Sequence, residues 1–500
     1  MWLFVGQVLL AQQNYATGML FEDSHYDSLS TMSQDIEGAK SLPLKVDLTP
    51  YCPAIRHQGD IFSCVGWSVG YAVLTIERAI QNNWLDKKYI TENAYSALFV
   101  YNQIKSKNCH TGAQITAALE LLEHKGNCLA RHFDFDPNDC ETLPDSSVLQ
   151  AAQVHTISHY IKLFEQKDAN DLKVRKVKQV LAHQKPVIIG MKVLRNFYEL
   201  KNARFWWPNI GDQTFAGGHA MCVVGYDDEQ KAFRLMNSWG KNWGNEGFIW
   251  VKYQHFAEYC KYAYAIFLEQ GGTIDFSEQQ SSEISEPSYE VAAPTSQLPP
   301  LMRPIRELNG SFVFQRFEGW GSDQRPVFES MPVFFDQKSY HLKGQYFRGD
   351  RFQLLAETGF DNGYVYAFSI DAVGKTAVHF PKHERLNKKF ARQYESALLL
   401  SGGSKLTIPS ATKVLKLTQM GNDYLVCLFS EKRIKPRYIR YLCATLGQHP
   451  NNIWKTLENL LGEHLIPLHD IHYEMDAMRF AVQTRSKGSI VPVVLRVLVE

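Results

Sequence analysis

The stretch GGTIDFSEQQSSEISEPSYEVAAPTSQLPP, residues 271–300, carries Ser, Glu, Gln and Pro where the chain on either side is dense in apolar periodicity. Such a segment buries too little apolar surface to offset the entropy of ordering it, and it reads as a flexible, disordered linker over 271–304. The linker forces at least two separately packed regions, which a length of 500 residues already favours. Before it, a probable signal peptide at 1–12 and a short polar leader at 13–45 precede a folded region at 46–270. After it come a β-rich region at 305–434 and an α/β segment at 435–500.

Balanced charge points to no particular partner. With 45% hydrophobic residues, 21% charged residues and a formal net charge of +1, the chain has the composition of an ordinary globular protein. Nothing in it calls for nucleic acid or an anionic membrane surface as a partner. The start MWLFVGQVLLA is apolar and ends in a small residue before QQNYATG, as the apolar and cleavage regions of a signal peptide do, although no Lys or Arg precedes it. Export is therefore expected, to the periplasm or beyond. No other run approaches the ~18 apolar residues of a membrane span.

Nine cysteines sit comfortably in an exported protein, and the odd count leaves at least one thiol free. Cys128 could pair with Cys140, and Cys52 or Cys109 with a more distant partner. The chain has no CxxC and no zinc-ligand spacing of Cys and His, so neither a metal nor another cofactor is expected.

Chemistry concentrates in two stretches of the first region. In HQGDIFSCVGW, residues 57–67, Ser63 is a good helix N-cap, and CVGWSVGYAVLTIERAIQNN is apolar on most faces, as a core helix would be. Cys64 then lies in the first turn, where the N-terminal N–H groups favour a thiolate. By itself it reads first as a small apolar residue packed at a helix start. The second stretch, TFAGGHAMCVVGYDDEQKAFRLMNSWGKNWGNEGFIWV, reads as two strands joined at DDEQ. Pairing about a turn centred near Asp228 sets His219 opposite Asn237. An Asn oxygen can hold an imidazole in the tautomer whose other nitrogen reaches a thiol, without adding charge.

QGDIFSCVGW, GGHAMCVVGY and NSWGKNWGNEGF, in that order, resemble the papain-like cysteine peptidases over residues 46–270. The resemblance implies an α+β, two-lobed domain with a helical lobe and a β-barrel-like lobe. It implies Cys64 as nucleophile, His219 as base and Asn237 as the group orienting His219. Gln58, six positions before Cys64, would complete an oxyanion hole with the Cys64 N–H. Trp239 would shield the His–Asn bond, and Gly112 would offer backbone to an extended substrate. The family's motif departs here at Ile61 and Val65, which removes a cysteine and leaves Cys109 without its usual partner. Cys64 with Cys109 is a further conceivable pair. The leader is also too short for the family's long helical propeptide, so any latency is expected to come from elsewhere.

The implied function is peptide-bond hydrolysis through a thioester intermediate, with protein or peptide as substrate. The alternatives are a silent papain-fold binding protein and a thioester-based amidase or acyltransferase. Phe197, Tyr198, Trp206 and Trp207 lie where the family builds substrate pockets, suggesting an apolar preference unless they are core. Farther on, YFRGDRFQLLAE, NGYVYAFSIDAVGK, VHFP and LTIP resemble an uncharacterised β-sandwich-like accessory domain of bacterial exported and signalling proteins. Its His341, His379 and His383 show no matching acid or thiol spacing, so a mainly antiparallel binding domain with an unknown partner is expected. YIRYLCATL and IWKTLENLLGEHL read as helices, and MRFAVQTRS with SIVPVVLRVLVE as a final hairpin.

Overall fold

A computed structural model describes residues 15–32, 36–37, 41–134, 136, 139–268, 303–322, 326–382, 395–411 and 413–500. The expected signal peptide and the linker up to residue 302 lie outside the described residues. The chain divides into two units, one holding Pro43–Leu268 with leader residues through Asp27, the other holding Glu269–Glu500 with Ser28–Leu42.

In the first unit, Cys64 and Val65 open a helix that continues through Gly66–Val73, which is π-wound, into Leu74–Gln81. We call this continuous helix α2, keeping α1 for Asp23–Ser28 in the leader. Every residue from Gly66 to Val73 is buried, as the all-round apolar pattern requires. Two flanking helices, Ala97–Ile104 and Ile115–His124, pack on α2. Gly66 permits the close crossing, since a Cβ there would stand 2.3 Å from the Ala97 carbonyl oxygen. Ser63 does precede the helix, but its hydroxyl donates to Ile61 O (3.5 Å) instead of capping it.

The other lobe is a sheet. Its strands are β1 (Lys45–Asp47), β2 (His159–Lys162), β3 (Val187–Leu194), β4 (Phe205–Trp206), β5 (Phe215–Asp227), β6 (Ala232–Met236), β7 (Phe248–Lys252) and β8 (Cys260–Phe267). They lie in the order β2-β8-β3-β5-β6-β7-β4, with β1 added to β5. The long β5 is central and buried from Gly218 to Asp227. Lys185 ties the lobes together by reaching Glu77 on α2 (3.1 Å) and Ile266 O on β8 (3.4 Å).

The second unit is a two-sheet β structure. In one sheet Arg306–Trp320 lies between Arg351–Thr358 and Arg479–Thr484; in the other, Ile490–Val499 lies between Tyr340–Leu342 and Gly421–Ser430. One hydrophobic cluster joins residues of both, among them Phe312, Leu354, Cys427 and Val493. The expected helices occur at Pro436–Gln448 and Ile453–Leu461. The expected final hairpin does not: Arg479–Thr484 and Ile490–Val499 enter different sheets. No structural boundary falls at residue 434, because both strands complete sheets begun before it. His341 hydrogen-bonds Asp336 (2.6 Å) and His379 hydrogen-bonds Ser369 (2.8 Å), while His383 lies outside the described residues.

Of the expected cysteine pairings, Cys109 with a distant partner occurs, and Cys128–Cys140 and Cys64–Cys109 do not. Cys109 bonds Cys140, and Cys64 and Cys128 are free and buried. Tertiary placement brought together two residues whose separation in sequence carried no such signal. The bridge closes a loop across 31 positions, so Cys140→Ser should lower the unfolding free energy by about 3–4 kcal/mol. Urea denaturation of wild type and variant under non-reducing conditions measures the difference.

Candidate active site

Four elements converge on the start of α2. The loop before it carries Gln58, the helix start carries Cys64, β5 carries His219, and the turn after β6 carries Asn237, Ser238 and Trp239. All are buried.

His219 Nε2 lies 2.7 Å from Asn237 Oδ1. The backbone N–H of Ser238 also donates to Oδ1 (2.8 Å), so that atom is the amide oxygen, and an oxygen there can only accept. The imidazole therefore carries its proton on Nε2, which leaves Nδ1 as the nitrogen with a lone pair. Nδ1 is buried and has no hydrogen-bond partner among the described residues. The strand that holds this ring also touches the thiol, because the Ala220 backbone N–H points at Cys64 Sγ. Burial pushes the Cys64 thiol up to about 12, against the pull of the Ala220 and Val65 N–H groups, and pushes His219 down to about 4, against the Asn237 bond.

The expected register of β5 and β6 needs correction. The turn is Asp228 to Lys231, not one centred near Asp228, and Cys222 pairs with Met236. Continuing that register sets Met221, not His219, opposite Asn237. His219 is the next residue on the same face, and the Asn237 side chain reaches it diagonally, as neighbours two apart on a strand can.

Gln58 is held at both ends. Its Nε2 donates to Ile61 O (2.9 Å), its Oε1 accepts the Ser238 hydroxyl (2.7 Å), and its backbone N donates to Ser238 O (2.8 Å). One Nε2 hydrogen remains beyond the Ile61 bond. Sequence reading passed over Ser238, though its place beside Asn237 was a usable signal. Trp239 lies over the imidazole with ring centroids 4.5 Å apart, and it stacks on Tyr198 at 5.2 Å. Phe197 and Trp206 are fully buried core, whereas Trp207 is 54% exposed.

The leader crosses this site, contrary to the expectation that latency would come from elsewhere. Tyr15 stacks on Trp239 at 5.0 Å, and Trp239 Nε1 donates to Ala16 O (2.9 Å). Gly18 N and Met19 N donate to Gly218 O (3.2 and 3.0 Å), beside His219. On the other side Ala113 N donates to Gly18 O (2.8 Å) and Leu20 N to Ala113 O (2.9 Å), a parallel bridge centred on Met19. Gly112, the expected backbone contact, lets the strand approach, since a Cβ there would stand 2.2 Å from Gly18 O; the hydrogen-bonding backbone is Ala113's. Met19 packs on Gly190, where a Cβ would meet its sulfur at 2.5 Å and the Tyr262 ring at 3.1 Å. The leader YATGMLF pairs small residues with apolar ones, a pattern that an overall polar reading of residues 12–45 obscured.

Comparison with known proteins finds matches to the first unit. The family model described as papain family cysteine protease matches residues 42–268. An uncharacterized peptidase C1-like protein of Acanthamoeba polyphaga mimivirus is 28% identical over 224 residues, covering 43% of this chain and 69% of that protein. Cysteine proteinase 3 of Solanum lycopersicum is 29% identical over 75 residues, 15% of this chain and 21% of its own. Among solved structures, xylellain, a cysteine protease from Xylella fastidiosa, is 25% identical and matches with a TM-score of 0.44, covering 52% of this chain and 97% of that one. Residues 42–268 of this chain thus match the family described as papain family cysteine protease.

Proposed function

We propose that the chain hydrolyses peptide bonds with Cys64 as nucleophile, His219 as proton carrier, Asn237 as the orienting group, and Gln58 with the Cys64 N–H as oxyanion donors. The observation that carries this reading is the tautomer set by Asn237 Oδ1, which leaves His219 Nδ1 as acceptor on the strand that touches the Cys64 sulfur. Once the site is open, Nδ1 takes the thiol proton. The sulfur adds to the substrate carbonyl, and the carbonyl electron pair moves onto oxygen, where Gln58 Nε2–H and the Cys64 N–H donate to it. Nδ1–H protonates the amine as the C–N bond breaks. Water then adds to the thioester, the C–S bond breaks, and the thiolate returns. Trp239 keeps water from the His–Asn bond.

The substrate would be an extended peptide carrying an unbranched apolar side chain, because Met19 shows what the Gly190 and Tyr262 surface accommodates. Export is supported by the apolar start and by the Cys109–Cys140 disulfide, which belongs in an oxidising compartment. The second unit would bind or position a partner.

Three outcomes test the reading. Cys64→Ala should reduce hydrolysis of unfolded protein at least ~10³-fold, and a thiol-directed epoxide should label Cys64 in wild type. Equal hydrolysis by the variant refutes the proposal, while joining of added amines to acyl donors without hydrolysis favours the transferase. Gln58→Ala should lower kcat by about 10²–10³-fold, as loss of an oxyanion donor does. Ser238→Ala should cost roughly 10-fold, with little further loss in the double variant, because both act through one amide. Steady-state kinetics on one peptide separates these values.

Acid should open the site. His219 has a folded pKa of about 4, below its ordinary value of 6.5. The closed, neutral-imidazole state is therefore fully favoured above pH 6.5 and loses that advantage as pH falls toward 4. Alkylation of Cys64 by iodoacetamide in the full chain should accelerate between pH 6.5 and 4, opposite to an ordinary thiol, as mass spectrometry would read.

A further inference from the structure

The second unit's sheet that holds Arg306–Trp320 has one face turned away from the core. Phe312, Phe314 and Phe352 belong to the shared hydrophobic cluster. Phe317 and Arg351, one residue off that alternation, therefore point outward. Register sets them side by side: Phe317 pairs with Phe328 of Pro326–Ser330, Arg316 pairs with Phe352, and Arg351 pairs in turn with Lys416. One row across four strands thus reads Phe328, Phe317, Arg351, Lys416. Trp320, three positions after Phe317, would face the other way in a regular strand. A bulge between Phe317 and Gly319 shifts the register, so that Trp320 pairs with Pro326 and joins the Phe317 side.

The rings form one support. Phe317 meets Trp320 at 73° with centroids 5.6 Å apart, and Phe328 at 64° and 5.8 Å. Trp320 is the most open of the three, 63% exposed. The Arg351 guanidinium stands 5.9 Å from the Phe317 ring centre. Among the described residues neither Arg351 nor Lys416 forms an ion pair with a carboxylate. The hairpin's own acids, Glu318 and Glu329, engage Arg316 instead (2.6 and 3.7 Å). Beside the row, Gln315 Nε2 donates to Ser330 Oγ (3.2 Å) at the surface.

From this juxtaposition we propose that the outward face around Trp320 and Arg351 binds an acidic polysaccharide, a chain of pyranose rings carrying carboxylates. The C–H face of a sugar ring lies on the electron-rich face of the indole, and the planar guanidinium takes a carboxylate on two N–H groups. Trp320 and Arg351 flank the same Phe317 ring, so a short oligomer can touch both, with Gln315 and Ser330 offering amide and hydroxyl groups to its hydroxyls. Edge-on rings make one platform, not the series of stacking surfaces that single-stranded nucleic acid uses. Two cations suit sparse carboxylates better than a phosphate at every unit. The inference gives a ligand class to the unit proposed above to bind a partner, and it does not depend on the peptidase chemistry.

Calorimetric titration of the full chain with hexamers of galacturonic acid and of mannuronic acid tests it. One of them should bind at least ~10-fold more tightly than its methyl ester or a neutral glucose hexamer. Trp320→Ala and Arg351→Gln should each weaken that binding roughly 10-fold or more, with the second unit's thermal transition unchanged. Arg351→Gln should also erase the preference for free acid over ester, which simple loss of packing would not do. Cys64→Ala should bind as wild type does, so failure of the peptidase reading leaves this one standing. Binding of neither hexamer, or equal binding by Trp320→Ala, overturns the proposal. Tighter binding of a thymidine hexanucleotide or of hexaglutamate also overturns it, although the second unit would then remain a binding region for another class of partner.

Discussion

One oxygen atom organises the active site. Asn237 Oδ1 accepts from the Ser238 backbone and from His219, and the first bond fixes the amide so that the second fixes the imidazole tautomer. The next side chain along, Ser238, turns the Gln58 amide so that its nitrogen is the donor on the Cys64 side. A single turn after β6 therefore orients both the imidazole on β5 and the Gln58 amide before α2. His219 and Gln58, from distant segments, are each held by a hydrogen bond to one short turn, while the Ala220 N–H of β5 points at Cys64.

The same surfaces serve the leader. Trp239, which covers the imidazole, also donates to Ala16 O, and Gly218, beside His219, accepts from two leader amides. The leader thus adds to the burial that disfavours charge on Cys64 and His219. Burial disfavours the charged form of a thiol and of an imidazole alike, so the two shifts have one cause.

Much of the site could be read from the chain before its structure. Cys64, His219, Asn237 and Gln58 occur in blocks whose residue types are each required by the chemistry, and those residues meet or line the same buried region. What escaped was geometry that no local pattern encodes. The β5–β6 register moved because the turn, Asp228–Lys231, lies one residue beyond DDEQ and β5 carries a bulge near Val224. Cys109 found Cys140 through folding of the chain between them. The leader's place over the site rests largely on main-chain bonds, which every sequence can make. The supposed last hairpin failed for a related reason: two adjacent strand patterns do not say whether they pair with each other or with distant strands, as Arg479–Thr484 pairs with Arg306–Trp320.

That last arrangement has a bearing on synthesis at the ribosome. Ile490–Val499 occupies an interior position of its sheet, hydrogen-bonded along its full length to Gly421–Ser430. Until those residues emerge, the facing edge of Gly421–Ser430 has no partner strand, and the apolar surface around Cys427 and Phe429 stays uncovered. The catalytic unit has no such wait, since all of its strands are made by Phe267. The chain is thus laid out so that the peptidase can close first, with its leader already in place, while the second unit remains an incomplete sheet exposed to whatever assists or captures nascent chains.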